Sequence, residues 1–157
     1  MNNVMKDCLR VLLMLREKIF KNNKSVYPTE HELPIENLLK LNHPMVPEIK
    51  EFDNKKIIYE HVDGITLKET NMKSVEDMMW VLSQCVNFMY SLINVKKNNL
   101  FLFAEDIHSL NLIITPNKQL KIIDLDQIGF YQKKDVYRYL NRNYFYIVDF
   151  FRCRNYS

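Results

Sequence analysis

Glycine is nearly absent: the chain of 157 residues holds two, Gly64 and Gly129. That excludes a G-x-G-x-x-G loop, in which closely spaced glycines let backbone amides approach a phosphate. Cysteine is scarce as well. Cys8, Cys85 and Cys153 are odd in number and show no C-x-x-C spacing, and two of them fall on apolar faces. Reduced core thiols are therefore expected, rather than disulfides or a zinc site. No apolar run approaches the ~20 residues of a membrane span, and no secretory leader is expected. There is neither an internal repeat nor a low-complexity linker. The net charge of +3 is too small to argue for a nucleic-acid partner by itself. These absences leave a compact intracellular domain, cytoplasmic by expectation and long enough to bury a core.

What is present is concentrated between residues 106 and 126, which read Asp-Ile-His-Ser-Leu-Asn-Leu-Ile-Ile-Thr-Pro-Asn-Lys-Gln-Leu-Lys-Ile-Ile-Asp-Leu-Asp. Two isoleucine-rich runs, 112–114 and 120–123, flank the turn signal Thr115-Pro116-Asn117-Lys118 and predict a β-hairpin. A hairpin folds its ends together. Asn111, entering the first strand, is then expected near Asp124, leaving the second, with Asp106 on the loop just before them. Asn and Asp oxygens beside a further acid suit a hard cation such as magnesium that also holds phosphate. Taken singly, Asp106 or Asp126 reads as a solvated surface acid. Asp124 differs, because Ile122-Ile123-Asp124-Leu125 sets a carboxylate inside an apolar run, and a buried acid needs a partner or a metal.

Periodicity predicts helices on either side. From Ser74 to about Asn98, apolar residues fall at Met78, Met79, Leu82, Cys85, Val86, Met89, Leu92 and Ile93, the spacing of one buried face. Ser74 and Asp77 make a capping-box-like start, and Lys96-Lys97 would suit the negative end of the helix dipole. Residues 4–20 also carry helix spacing, with a strand over 16–21 as the alternative. Residues 134–152 predict an aromatic-rich helix with Val136, Tyr139, Leu140, Phe145, Val148 and Phe151 broadly on one side. Lys133, Lys134, Arg138, Arg142, Arg152 and Arg154 make this tail basic. A solvated face on a core-packing helix is the preferred reading. Tyr137, Tyr139, Tyr144 and Tyr146 between the cations leave a nucleic-acid contact as the alternative.

The separations of Asp106, Asn111 and Asp124 resemble the catalytic and metal-binding loops of the protein-kinase-like fold, H-R-D-x-x-x-x-N followed by D-F-G. The wording is closer to the aminoglycoside phosphotransferases, the lipopolysaccharide kinases and the small atypical kinases of archaea. The resemblance implies an α+β fold with two lobes: a reduced N-lobe and hinge over 1–70, and a minimal helical C-lobe over 71–157. It implies ATP and Mg2+ as cofactors, Asp106 as catalytic base, and Asn111 and Asp124 as metal ligands, with Asp126 beside the metal. Residues 36–44 resemble the end of the kinase C-helix and its His-Pro turn. Pro47-Glu48-Ile49 and the segment 56–62 resemble strands four and five. Glu60, His61 and Val62 would then form the hinge that seats adenine, where Gly64 relaxes the turn, and 100–103 a short strand entering the loop. Lys18 is the candidate phosphate-binding lysine, with Glu36, or less readily Glu32, as its ion-pair partner.

The chain also departs from that pattern. Ala104-Glu105 stands where His-Arg usually braces the loop, and His108, placed as in phosphotransferases reading H-x-D-x-H, is expected to take over part of that support. Asp126 replaces the glycine of D-F-G. Only 33 residues follow Asp124 and there is no A-P-E segment, so a large peptide-holding subdomain is not expected. So compact a version, rich in Asn, Lys and Ile, would suit a virus with an AT-rich genome.

Three functions compete. The leading one is an ATP/Mg-dependent phosphotransferase acting on a hydroxyl of a protein or small molecule. The second is a pseudokinase or inhibitor that binds a kinase, its substrate or a nucleotide without turnover. The third is a metal-dependent nuclease using Glu105, Asp106, Asp124 and Asp126 as a carboxylate cluster. That third reading lacks the lysine such sites commonly place on the following strand.

Overall fold

The computed structural model describes residues 34–52 and 57–155. Lys18, Glu32 and the helix-or-strand reading of residues 4–21 lie outside the described residues.

Helix α1, Ile35–Leu41, buries Ile35 and Leu38 and stops at Asn42, whose left-handed backbone (φ 44) lets its N–H return to the Leu39 carbonyl. Asparagine tolerates that conformation better than most residues. Strands β1, Ile49–Phe52, and β2, Ile57–Tyr59, form an antiparallel pair whose register shifts between Ile49 and Glu51. The strand expected at Pro47-Glu48-Ile49 thus starts at Ile49, and its partner ends at Tyr59. The chain then reaches β3, Ile65–Thr66, a one-turn 3-10 helix at Leu67–Glu69, and helix α2, Val75–Ile93. Two capping boxes punctuate this stretch. Thr66 and Glu69 close the first, and Ser74 and Asp77 the second.

Helix α2 buries the anticipated face, with Val81 and Phe88 added and Met78 only half-buried. Cys85 lies within it, and burial pushes its thiol up to about 12, so it behaves as an apolar side chain. The helix ends at Ile93, short of the expected boundary, and its last turn holds no basic residue. Lys96–Lys97 instead forms β4, paired antiparallel with β5, Leu100–Ala104. Asn98 and Asn99 join them with φ of 49 and 63. Two consecutive positive φ values are the requirement of a type I′ hairpin turn, which asparagine meets at low cost.

All five residues of β5 are buried. The strand lies between β4 and β8, Ile128–Tyr131, and packs against α2 and against helix α3, Lys133–Asn155. The expected hairpin is β6, Leu112–Ile114, with β7, Leu120–Ile122, in register Leu112↔Ile122. Beside β6 runs β3, giving a second sheet of order β3-β6-β7. This hairpin also reaches back to the first described segment: the Ile122 N–H donates to the Met45 carbonyl at 2.8 Å, and Lys121 Nζ to that of Pro44 at 2.7 Å.

Helix α3 buries Val136, Tyr139, Leu140, Asn143, Ile147 and Phe151. Phe145, expected inside, is 57% exposed. It follows Asn143 by two residues, about 200° around a helix of 3.6 residues per turn, and so faces away from the core. The result is a mixture of helices and small antiparallel sheets, the expected α+β class. No helix among the described residues is long and apolar enough to cross a membrane.

Gly64 has φ +155, and a Cβ there would meet the Ile114 carbonyl oxygen at 2.4 Å and Ile113 Cγ2 at 2.7 Å. Gly64→Ala is expected to lower stability by about 1–3 kcal/mol, read as a lower urea midpoint at constant slope.

Burial pushes the Asp77 carboxyl up, but bonds from the Ser74 side chain and from the Ser74 and Lys73 amides outweigh it, leaving the pKa below 3.8. A depressed carboxylate stabilises the fold above the unfolded pKa, and that contribution disappears as pH falls through the folded value. Asp77→Asn is therefore expected to lower stability at neutral pH and to flatten the acid limb below about pH 4, where the two proteins converge. Thermal melts across pH 2.5–7 check this.

Candidate active site

The chain leaves the buried strand β5 at Ala104 and turns through residues 105–111 before entering β6. Three elements hold this loop. From just before β8, the Gln127 carbonyl accepts the Glu105 N–H at 3.1 Å, and from the segment after β3 the Lys68 N–H donates to the Ser109 carbonyl at 3.1 Å. Helix α3 supplies the third set. Arg142 donates to the Glu105 carbonyl, Asn143 Nδ2 to the Ala104 carbonyl at 3.0 Å, and Asn143 Oδ1 accepts the Ile107 N–H at 3.1 Å.

The three candidate residues come together at the open end of the β6–β7 hairpin. The Ile123 N–H donates to the Asn111 carbonyl at 2.9 Å, so Asn111 lies beside Ile123, and Asp124 is the next residue. Asn111 is 8% exposed, and its Nδ2 donates to the Asp106 carbonyl at 3.2 Å. An amide whose nitrogen is committed in this way offers its oxygen as the remaining ligand atom. Asp124 takes a left-handed backbone, φ 61 and ψ 60, and its N–H donates to the Tyr59 hydroxyl at 3.1 Å. The expected burial of Asp124 does not hold. The strand ends at Ile122, the backbone reverses hand at Asp124, and the residue is exposed although both neighbouring runs are apolar. Oxygen atoms of Asn111 and Asp124 fit a hard divalent cation in their chemistry. The one-turn helix Leu125–Gln127 carries Asp126 immediately afterwards.

His108 is tied to the loop at both ring nitrogens. Nδ1 accepts the Leu110 N–H at 3.2 Å, which leaves the proton of the neutral ring on Nε2, 3.2 Å from Asp106 Oδ2. The imidazole therefore faces Asp106 as a donor. Glu105 points the other way. Tyr131 donates to its Oε1 at 2.8 Å, and Arg142 lies 3.7 Å from its Oε2. Burial, reinforced by this bond to a carboxylate, pushes the Tyr131 phenol well above its usual range. Among the described residues, no three of His, Cys, Asp and Glu gather as a metal-holding group. With Glu105 held by Tyr131 and Arg142, its carboxylate is engaged away from the cluster a nuclease would need.

The remaining candidates lie apart. Glu36 is exposed on α1, and its expected partner Lys18 is outside the described residues. Glu60 accepts the Glu48 N–H through Oε1 at 3.2 Å. His61 lies 3.5 Å from Asp63, both largely exposed, and Val62 is half-buried. The basic tail is divided: Lys134, Arg138 and Arg152 are exposed, whereas Arg142 and Arg154 reach backbone carbonyls. Besides Arg142, Arg154 donates to the carbonyls of Lys68, Thr70 and Met72, and Arg138 lies 3.4 Å from Asp135. Sequence reasoning missed Asn143. A polar residue in the register of Val136, Leu140 and Ile147 was the available signal.

No family model matches the chain, and no curated protein matches it in sequence. Its fold is similar to that of solved structures. The Rio2 kinase of Chaetomium thermophilum, solved as an ADP/Mg2+-phosphoaspartate complex, superposes with a TM-score of 0.57 at 18% identity, over 96% of this chain and 41% of that one. The chain thus spans well under half the length of that kinase, and the likeness establishes the fold: a kinase-like α+β arrangement.

Proposed function

We propose that the protein is an ATP- and Mg2+-dependent phosphotransferase that moves a γ-phosphoryl group to a hydroxyl acceptor, foremost on a protein. The hydrogen bonds that gather Asp106, Asn111 and Asp124 at one end of a single hairpin support this most directly. Asp106 orients the acceptor hydroxyl and takes its proton, and its carbonyl, held by Asn111, keeps the two residues in fixed relation. Asn111 and Asp124 supply the oxygens that hold magnesium, with Asp126 adjacent. Bound there, the cation would neutralise charge on the phosphates. Residues 60–62 seat the adenine, and Tyr59, at the end of β2, links that segment to Asp124. Lys18, with Glu36, is the proposed phosphate contact.

A catalytically silent relative is the second reading, favoured by the absence of any glycine before Gly64. Such a protein would bind a kinase, its substrate or a nucleotide without turnover.

Thermal shift with Mg-ATP separates a nucleotide-binding protein, active or silent, from one that binds no nucleotide. At a hundredfold excess over the dissociation constant, binding adds about 2.7 kcal/mol, a rise of several degrees for a domain of this size. The rise is expected to require magnesium and to vanish in Asp124→Ala. Asp106→Asn is expected to keep the shift while losing about 10²–10⁴-fold in phosphoryl transfer to a generic protein acceptor. The phosphoaspartate of the Chaetomium structure makes a hydroxylamine-labile phosphoryl group on this chain a second readout. A folded wild type without any shift would remove the enzyme reading.

A further inference from the structure

Asp106 is flanked by two peptide groups, and consecutive residues of one distant helix grip both. The carbonyl of the preceding peptide belongs to Glu105 and accepts from Arg142. The N–H of the following peptide belongs to Ile107 and donates to Asn143 Oδ1 at 3.1 Å. The other side of that second peptide, the Asp106 carbonyl, accepts from Asn111 Nδ2. Rotation about either backbone bond of Asp106 would break one of these contacts.

We propose that Arg142 and Asn143 are positioning residues for Asp106, and that they supply from α3 the bracing that Ala104-Glu105 cannot supply from within the loop. This rests on the phosphotransferase reading. Asn143 is 1% exposed and Ile107 is fully buried, so neither end of their bond has water as a substitute. The amide is matched to its place. The Ala104 carbonyl needs a donor and the Ile107 N–H an acceptor, and a side-chain amide presents both from one planar group. A leucine of similar size presents neither. Aspartate keeps the acceptor, but sets an oxygen against the Ala104 carbonyl.

Arg142 joins the clamp differently. Its guanidinium stacks over Tyr139 at 5.0 Å and lies 5.9 Å from the Tyr146 ring, which fixes the fork before it reaches the Glu105 carbonyl. Tyr146 in turn meets His108 edge-on at 6.1 Å, and His108 faces the Asp106 carboxylate. Helix α3 therefore constrains the Asp106 backbone directly and its carboxyl group through one intervening ring.

The test measures Mg-ATP affinity by thermal shift and turnover as ADP release, for wild type, Asn143→Leu, Asn143→Asp and Arg142→Met, together with hydrogen exchange at the Ile107 amide. Displacing a reacting group by about 1 Å can cost roughly 10²-fold in rate. Folded Asn143→Leu is expected to bind Mg-ATP within about twofold of wild type, to lose about 100-fold in kcat, and to expose Ile107 to exchange. Asn143→Asp, which retains the acceptor, is expected to recover part of that loss. Unchanged kcat in a folded variant, or affinity and kcat falling in parallel, would overturn the proposal. If Asn143→Leu does not fold, the half-exposed Arg142→Met is held to the same split. A wild type that neither binds nor turns over Mg-ATP would overturn the phosphotransferase reading and the catalytic meaning of the clamp with it. The exchange data need no nucleotide: an unprotected Ile107 amide in wild type would overturn the clamp alone.

Discussion

The burial of β5 on both faces is the constraint from which the rest follows. Leu100, Phe101, Leu102, Phe103 and Ala104 are each less than a tenth exposed, and a fully buried large apolar side chain contributes about 1.5–3 kcal/mol relative to an exposed one. Helices α2 and α3 both pack on this strand. Covering its edges requires β4 and β8. The strand's end is therefore among the least movable points of the molecule, and residues 105–111 start from it. The loop that carries Asp106 therefore leaves from a fixed point, and the contacts from α3 set its course from there.

Much of this was legible because the signals were local. Pro116-Asn117 between two isoleucine runs gave the β6–β7 hairpin, and Ser74 with Asp77 gave the start of α2. The end of α2 was misread because Lys96-Lys97 suits a helix terminus. An exposed cation there contributes at most about 1 kcal/mol, less than the pairing and burial gained by turning at Asn98-Asn99 and laying β5 into the core. The αL backbone of Asp124 leaves no trace in composition, so an acid among isoleucines looked buried when it is exposed. Phe145 and Asn143 show the same failure in reverse. Counting apolar residues put a phenylalanine inside and missed the amide that occupies the buried register.

The arginines of α3 carry a related lesson. In sequence they form a basic run, which suggests a solvated face or a polyanion partner. In the fold, Arg142 and Arg154 direct their guanidiniums at backbone carbonyls, and a rigid fork with several donors suits that task better than a lysine would. Charge counted along a chain does not distinguish an electrostatic surface from a set of internal hydrogen-bond donors. The difference lies in whether carbonyls with no strand partner come within reach, as those of Lys68, Thr70 and Met72 do for Arg154.

The β3–β6 ladder is only two residues long, Ile65↔Ile114 and Thr66↔Ile113, and it closes a loop containing all of α2 and β5. Pairings of such long sequence separation carry a loop-closure cost that slows folding. A short edge ladder of this kind also opens at a small fraction of the global free energy. The segment between Tyr59 and Leu67 is therefore the natural place for sub-global opening. Such opening would leave β4, β5 and β8 paired, because the ladder belongs to a different sheet.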